Sequence, residues 1–394
     1  MTLAVGRRSL LWAALGTSIV GLAACSEDDY LPDRTAELED LITRSGPGRV
    51  HVPAGEYAVS GLKVPGGTTL VGGGEVTLRP FGRQHNLVVL EEDGASLESV
   101  GIDGRGAVER ALVMVSSGVR GASVTDCTLT GAARDGVDVR SGASQVRLER
   151  LELDGAARRN SIRVQGVQGL EVTSCVVRNW AGRGIYVAPS ADGAGCTNVL
   201  IEKTEIRDLL PGSPAPRHPI QVIGRSGAPH RNVRVLDNTV VGPGASWTNP
   251  DAPGTADQIS LMWVRGFQVR RNISRAGGDV GITVSTGCVR GTIADNTCRD
   301  NDTNGIFVHA NHVVVRNNEL VNNGRNRQGD RGGATAGLGL RNCTNVKVEG
   351  NRARHEGGVH TQSAAVRVTG GTQISLGNND VTGMPVRVNR DWKP

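Results

Sequence analysis

The stretch VLDNTV (residues 235–240) returns downstream as VRRNIS (269–274), IADNTC (293–298), VRNNEL (315–320), VEGNRA (348–353) and LGNNDV (376–381). Each copy has asparagine at its fourth position. Upstream, the same frame reads VTDCTL (124–129), LERLEL (148–153), VTSCVV (172–177) and IEKTEI (201–206), and the first three copies are 24 residues apart. Such a period of short strands and Gly/Asn turns predicts a solenoid of stacked coils. One asparagine per coil indicates a ladder in which side-chain amides bond the coils above and below.

The first 25 residues have the features of an export signal. Arg7 and Arg8 precede an apolar run of about 15 residues, which is shorter than the ~20 residues of a membrane span. The run ends in LAAC (22–25) before a polar stretch, and this resembles a bacterial lipobox in which Cys25 is lipidated. We expect residues 1–25 to be a lipoprotein signal peptide, 26–33 a tether and 34–394 one domain. The mature protein is then exported, and either lipid-anchored at the cell envelope or secreted.

The composition fits a narrow solenoid core and argues against nucleic-acid binding. Only 3% of the residues are aromatic, whereas 55 are glycine. Without Arg7 and Arg8, 42 basic residues stand against 39 acidic ones, and no basic run with interleaved aromatics is present. Six cysteines remain after Cys25. Cys127 and Cys175 lie two coils apart, roughly 10 Å, which is too far for a disulfide, so we expect buried free thiols.

The N-terminal stretch carries a resemblance to a known family. Residues 35–44 (TAELEDLITR) have helical apolar spacing, and residues 48–57 read G-x-V-x-x-P-x-G-x-Y. A short helix before such a stretch resembles the entry to right-handed parallel β-helix proteins of the pectate-lyase-like superfamily. The resemblance covers residues 34–385 and implies an all-β fold of about a dozen coils with a capping helix. It also implies a carbohydrate-related activity, but the pectate lyase and polygalacturonase signature stretches are absent.

Most coils contain a second strand, for example GVDVR (136–140), SIRVQ (161–165) and GIYVA (184–188). Period-2 alternation turns Val137 and Val139 inward and leaves the residue between them pointing outward. We name the resulting set the outward column, and we expect its members to face solvent. It consists of Asp138, Arg163, Tyr186, Gln221, Ser260, Thr283, Phe307, Gly339 and Arg367.

A second set stands two residues before each coil's first inward side chain, and we name it the corner column. It consists of Asp135, Asn160, Arg183, His218, Asp257, Val280 and Asn304. Because six of the seven are polar, we expect the bend before the strand to turn them to solvent. Three long insertions, 209–218, 242–256 and 322–336, fall between a ladder strand and the next outward-column strand. Insertions at one corner predict a binding groove beside Tyr186, Gln221 and Ser260.

The groove residues fit proton abstraction at C5 of a uronic acid in an acidic polysaccharide. The proton next to a carboxylate is weakly acidic, so a cation must neutralise the carboxylate while a base removes the proton. Arg163 or Arg183 would be the cation, His218 the base and Tyr186 the acid. This chemistry gives either β-elimination by a lyase or inversion by a C5-epimerase. The remaining predicted substrate contacts are Asp135, Asp138, Gln221, Asp257 and Trp247.

Two other functions stay open. A glycoside hydrolase would use paired carboxylates, and Asp135, Asp138 and Asp257 are the candidates. Asp257, however, lies several coils from the other two. A non-catalytic glycan-binding lipoprotein would need only the groove and aromatics such as Trp247 and Trp263 to stack on sugar rings.

No cofactor is required by these schemes, and no metal ligands are predicted. Asp300-x-Asp302-x-Asn304-Gly305 copies half of a calcium loop, but its twelfth position is Asn311, so a polar turn is the better interpretation. A Ca²⁺ ion at Asp135 and Asp138 stays an option.

Overall fold

The computed structural model describes residues 31–155, 159–179, 181–208, 218–242, 257–325, 335–358 and 360–388. Within these residues the chain winds repeatedly through three sheets, named sheet 1, sheet 2 and sheet 3 in the order in which each coil visits them. Each named strand pairs in parallel with the equivalent strands of adjacent coils. The architecture is therefore the predicted parallel β-helix, and the twelve strands of sheet 3 match the expected dozen coils.

The strands of sheet 1 are Leu62–Val64, Gln84–Leu90, Val108–Val115, Asp135–Val139, Asn160–Gln165, Arg183–Ala188, Ile220–Ile223, Ile259–Met262, Ile282–Val284, Ile306–Val308 and Val386–Val388. Those of sheet 2 are Gly48–His51, Thr68–Val71, Ser96–Glu98, Ser123–Thr125, Ser144–Glu149, Gln168–Thr173, Thr197–Glu202, His230–Leu236, Val264–Arg270, Val289–Ala294 and Asn311–Arg316. Two long strands, Ala336–Glu349 and Ala364–Leu376, run through both sheets. Sheet 3 consists of Gly55–Val59, Val76–Pro80, Gly101–Asp103, Thr128–Thr130, Glu152–Asp154, Val176–Arg178, Glu205–Ile206, Thr239–Val241, Ile273–Arg275, Thr297–Arg299, Glu319–Val321 and Arg352–Arg354.

The asparagine ladder lies at the corner between sheets 2 and 3, as predicted. Asn296 shows the repeating contacts: its Oδ1 accepts from the backbone N and from Nδ2 of Asn272, both at 3.0 Å. Its Nδ2 donates to Oδ1 of Asn318 and to the backbone O of Val269, both at 2.9 Å. The same pattern continues to Asn379. Each amide therefore satisfies backbone groups that the tight corner leaves without a strand partner.

The residue before each ladder position explains why the corner is tight. Asp237, Arg271 and Asp295 have φ of 56°, 54° and 59°, so one left-handed residue turns the chain between two strands. The cysteines that occupy the ladder position in the upstream coils make part of the asparagine's contacts. Cys127 Sγ contacts the O of Thr125 at 3.2 Å, two residues back, where the ladder asparagines also donate.

A second, shorter ladder occupies the corner between sheets 3 and 1 and was not predicted. Asn301 Oδ1 accepts from Gly277 N at 3.0 Å, and its Nδ2 donates to Oδ1 of Asn323 at 2.8 Å. Asn323 Nδ2 in turn donates to Oε1 of Gln362 at 3.2 Å. The signal was in the sequence, because both asparagines follow a first-ladder asparagine by five residues.

The predicted register of sheet 1 is confirmed along its whole length. Successive members of the outward column are Cα partners, from Asp138 opposite Arg163 to Gly339 opposite Arg367. Inward neighbours such as Val137 and Val139 are fully buried, so the core is a continuous stack of aliphatic side chains. The expectation of solvent exposure was wrong for Asp138, Gln221, Ser260, Thr283 and Gly339, which are buried.

The corner column was expected to face solvent, and this was wrong for Asp135 and Asn160. Both are buried, and both are the first residues of their strands. Asn160 Nδ2 donates to Asp135 Oδ1 at 2.6 Å, so the two side chains contact each other away from water. Val280 and Asn304 are buried as well, and Asn304 Oδ1 accepts from the backbone N of Ala336 at 2.8 Å.

The N-terminal helix spans Thr35–Ser45 and covers the first coil with Leu38 and Ile42, as expected. All six cysteines from Cys127 to Cys343 are free and buried, which confirms the expectation of buried free thiols. Burial raises the pKa of the Cys127 and Cys175 thiols to about 12, so they behave as small apolar groups. In the part of the chain that the structure describes, no helix has the length and apolar character needed to cross a membrane.

Candidate functional site

Five successive strands of sheet 1 carry the predicted site residues. Their outward column brings Asp138, Arg163, Tyr186, Gln221 and Ser260 side by side in that order. Neighbouring strands are about 4.8 Å apart, so this part of the column is roughly 19 Å long. The predicted register of the outward column in the middle coils is therefore confirmed.

Asp138 is fully buried among three guanidinium groups. Arg140 Nη1 lies 3.2 Å from its Oδ2, Arg163 Nη1 lies 3.3 Å from its Oδ1, and Arg110 Nε lies 3.8 Å from its Oδ2. Burial raises the pKa of Asp138, and the positive charge of Arg163 opposes that rise. The carboxylate is therefore engaged with the protein itself, and so is the guanidinium of Arg163.

Asp135 belongs to the same coil and is equally inaccessible. Asn160 Nδ2 donates to its Oδ1 at 2.6 Å, and Arg134 Nε lies 3.8 Å from its Oδ2. Burial raises the pKa of Asp135, and the hydrogen bond from Asn160 opposes the rise. Within the described residues, Asn160 Oδ1 and the Oγ of Ser161 are buried without a hydrogen-bond partner. Asp135 thus contributes to a buried polar cluster with Asn160 and Ser161.

Arg183, Tyr186 and Gln221 form one contact group across two coils. The Cζ atom of Arg183 lies 4.3 Å from the centroid of the Tyr186 ring, and its Nε donates to Oε1 of Gln221 at 2.5 Å. Cation–π stacking and the hydrogen bond together fix the plane of the guanidinium. Arginine in a fixed plane pairs well with a carboxylate, because its donors match the two carboxylate oxygens.

His218 contacts Asp257, which occupies the next position of the corner column. Its Nδ1 lies 3.0 Å from the backbone O of Asp257 and 3.9 Å from the carboxylate Oδ2. A carbonyl oxygen only accepts, so this hydrogen bond places the proton on Nδ1 and leaves Nε2 as the basic nitrogen. The carboxylate beside Nδ1 then stabilises the imidazolium that forms when Nε2 accepts a proton.

The pKa of the Asp257 carboxyl is raised by its surroundings. Its side chain is 14% exposed and that of His218 is 18% exposed, so both are largely removed from water. Burial raises the pKa of Asp257 to about 6, and side-chain contacts from Thr283 and Ser260 oppose the rise. The two residues therefore form an acid–base pair that is largely shielded from water.

This raised pKa makes stability depend on pH. The folded state holds a proton on Asp257 that the unfolded chain releases near pH 4. The contribution of Asp257 to stability is therefore fully present below about pH 4 and is lost as the pH rises through about 6. Asp257→Asn cannot ionise. We expect its free energy of unfolding, relative to wild type, to increase by about 1–3 kcal/mol between these two pH values, as measured by urea unfolding. A difference that is constant with pH would contradict the burial of the charge.

The spacing of the carboxylates bears on hydrolysis. Asp135 and Asp257 are separated by four coil steps, about 19 Å, whereas catalytic carboxylates lie about 5–9.5 Å apart. Asp257 is therefore too far from Asp135 and Asp138 to pair with them across one glycosidic bond. This agrees with the several coils that separate them in the sequence.

Several predictions fall outside the described residues. Trp247, Cys25 and most of the three long insertions belong to this group. The positions of the insertions are nevertheless confirmed by the strands that flank them, for example Thr239–Val241 of sheet 3 and Ile259–Met262 of sheet 1. Sequence reasoning missed Arg140, which stands two residues after Asp138 and directly follows the strand Asp135–Val139.

Among the described residues, no group of three or more His, Cys, Asp or Glu side chains is arranged to hold a metal ion. The calcium-like segment is a polar turn whose side chains bond to the protein. Asp302 Oδ1 accepts from Arg325 Nη2 at 3.0 Å, and Asn304 accepts from the backbone N of Ala336.

A family model described as a right-handed beta helix region matches residues 160–334. The fold is a right-handed parallel β-helix. Sequence comparison with curated proteins finds no significant match.

Solved structures share the whole architecture at low identity. The A-module of the mannuronan C-5 epimerase AlgE6 from Azotobacter vinelandii has a TM-score of 0.54 and 16% identity, with 92% of this chain and 96% of that chain covered. The catalytic unit of a GH87 α-1,3-glucanase from Streptomyces thermodiastaticus has a TM-score of 0.53 and 14% identity, with 90% of this chain and 67% of that chain covered. At such identities the likeness shows the fold, and the reaction must be argued from the site.

Proposed function

We propose that this protein acts on an acidic polysaccharide by abstracting the C5 proton of a uronic acid residue. The observation that carries the proposal is the hydrogen bond from His218 Nδ1 to the backbone O of Asp257, since it leaves Nε2 as a base. The nearby carboxylate strengthens that base, as in other histidine–carboxylate pairs.

Arg183 takes the role of the neutralising cation. When the C5–H bond breaks, its electron pair moves toward the uronate carboxylate, and a guanidinium paired with that carboxylate stabilises the developing charge. Arg163 is less suited to this role, because its Nη1 lies 3.3 and 3.4 Å from the two oxygens of Asp138. The contacts of Arg183 with Tyr186 and Gln221 orient its guanidinium plane.

Tyr186 supplies the proton that completes the reaction. In β-elimination the bond from C4 to the glycosidic oxygen breaks, and the leaving oxygen takes the phenol proton. In epimerisation C4–O stays intact, and the proton is delivered to the opposite face of C5. Both outcomes use the same base and cation.

Incubation with polyuronates tests the proposal. Mannuronan is a suitable first substrate, because it appears in the name of the AlgE6 epimerase. A lyase produces ultraviolet absorbance from the unsaturated uronate, and an epimerase exchanges the C5 proton with deuterium oxide, seen by NMR. New reducing ends without absorbance would instead show hydrolysis. Binding without any of these changes would show a glycan-binding protein, and both outcomes reject the proposal.

Export and lipid attachment at Cys25 stay predictions, and membrane fractionation of a Cys25→Ser variant tests them.

A further inference from the structure

A groove of about 700 Å³ lies on sheet 2, beginning at the corner where sheet 1 ends. Its residues include Arg231, Trp263, Arg265, Arg290 and His312. They come from successive coils, because Arg231 is the Cα partner of Arg265, and Arg265 is the partner of Val289. The groove is thus separate in the fold from the face that carries Tyr186 and His218.

Trp263 provides a rigid aromatic surface in this groove. A Cβ atom at Gly287 would lie 2.0 Å from Cε3 of Trp263, so the indole lies against the glycine backbone of the next coil. Trp263 has a φ of 53°, the left-handed conformation that also turns the chain at other corners of the coils. The indole ring is only partly buried, which leaves it available for stacking.

The groove is strongly cationic. Arg231, Arg265 and Arg290 are exposed, and no residue lining the described groove is acidic. Other arginines of the same sheet are paired: Arg270 Nη2 lies 3.1 Å from Asp295, for example. None of the three groove arginines has such an ion pair within the described residues. Three uncompensated guanidinium groups beside each other repel, and an anionic ligand relieves that repulsion.

His312 adds a donor at the far side of the groove. Asn345 Nδ2 lies 2.9 Å from His312 Nδ1, and an amide nitrogen only donates, so Nδ1 is the acceptor. The imidazole therefore carries its proton on Nε2, which can donate to a ligand.

We infer that this groove is a second binding site for an acidic saccharide, with a sugar ring on Trp263 and its carboxylates or sulfates on Arg265 and Arg290. The ring face of a sugar suits an indole, whereas its acidic substituents suit guanidinium groups. The inference rests on the proposed function only for the class of ligand. The site has no acid–base pair like His218 and Asp257, so it holds the polymer and does not act on it.

Binding of size-defined polyuronate oligosaccharides to the full chain, measured by calorimetry, tests the site. We expect both Trp263→Ala and the double variant Arg265→Ala/Arg290→Ala to weaken binding at least tenfold, and the wild-type Kd to rise steeply with salt. Arg275→Ala/Arg387→Ala is the matched control, because it removes the same charge from exposed positions on other strands. We expect the control to bind like wild type.

Unchanged affinity in both groove variants, or an equal loss in the control, would overturn the inference. Tighter binding of single-stranded DNA than of polyuronate would overturn it as well, since the ligand class would then be wrong. C5 exchange on short oligosaccharides separates this result from the proposed function. If exchange is absent but the groove variants lose affinity, only the proposed reaction fails; if exchange occurs and the groove variants bind normally, only the second site fails.

Discussion

His218→Gln should lower kcat for C5 proton exchange about 10²–10⁴-fold, the usual contribution of a general base. Glutamine has a side-chain amide that can still donate to the backbone O of Asp257, so the local structure is retained while the base is lost. We expect KM to change little, because His218 contributes to the transition state more than to binding. The measurement is deuterium incorporation at C5, or absorbance of the unsaturated product, with a polyuronate substrate.

His85→Gln is the matched control for this variant. His85 is also on sheet 1 and its Nδ1 lies 3.7 Å from Oε2 of Glu109, but the two side chains are 66% and 56% exposed. Its replacement should leave the rate unchanged. Tyr186→Phe, which keeps the ring beneath Arg183, should lower kcat as well. Wild-type rates in both His218→Gln and Tyr186→Phe would show that these residues are not the base and the acid.

Asp257→Asn separates the two interactions that His218 makes. The backbone carbonyl at 3.0 Å remains, so the tautomer is unchanged, but the carboxylate that stabilises the imidazolium is removed. We therefore expect a smaller loss of rate than in His218→Gln, together with an acidic limb of the pH–rate profile that moves to lower pH, because the imidazole becomes less basic.

The fold was predictable from sequence because its two determinants are periodic. A ladder asparagine returns once per coil, and apolar residues alternate along each strand, so register and facing follow from counting alone. The long strands Ala336–Glu349 and Ala364–Leu376 obey the same count, although they pass through a corner without a break.

The site was predictable only in part. Register placed Arg183, Tyr186 and Gln221 together, but it did not show that Asp138 is covered by Arg110, Arg140 and Arg163. Burial of an outward residue depends on whether long side chains of neighbouring residues lie across it. Sequence periodicity does not contain that information.

The sheet 2 groove was missed for a similar reason. Trp263 was considered as a sugar-stacking residue, but its partner, the backbone of Gly287, lies 24 residues away in the next coil. The arginines of the groove are scattered in sequence and become neighbours only through the coil repeat.

Asn296→Ala should reduce the free energy of unfolding by about 3–5 kcal/mol, because it removes four hydrogen bonds in a fully buried corner. The loss includes the cost of leaving the backbone N of Asn272 buried without the Oδ1 acceptor of Asn296. Urea unfolding followed by circular dichroism measures the effect.

Asn379→Ala is the informative comparison, since the same residue type stands at the more exposed end of the ladder. Its Oδ1 accepts from the N and Nδ2 of Asn351, but its own Nδ2 donates to the backbone O of Gly377 where water is accessible. Water can replace those bonds, so we expect a loss of about 1 kcal/mol. Equal losses at Asn296 and Asn379 would mean that the ladder stabilises each corner through its local conformation. A larger loss at Asn296 would mean that buried amides hold adjacent coils together. The stacking of sheet 1, on which both His218 and Arg183 depend, would then be maintained from the opposite corner.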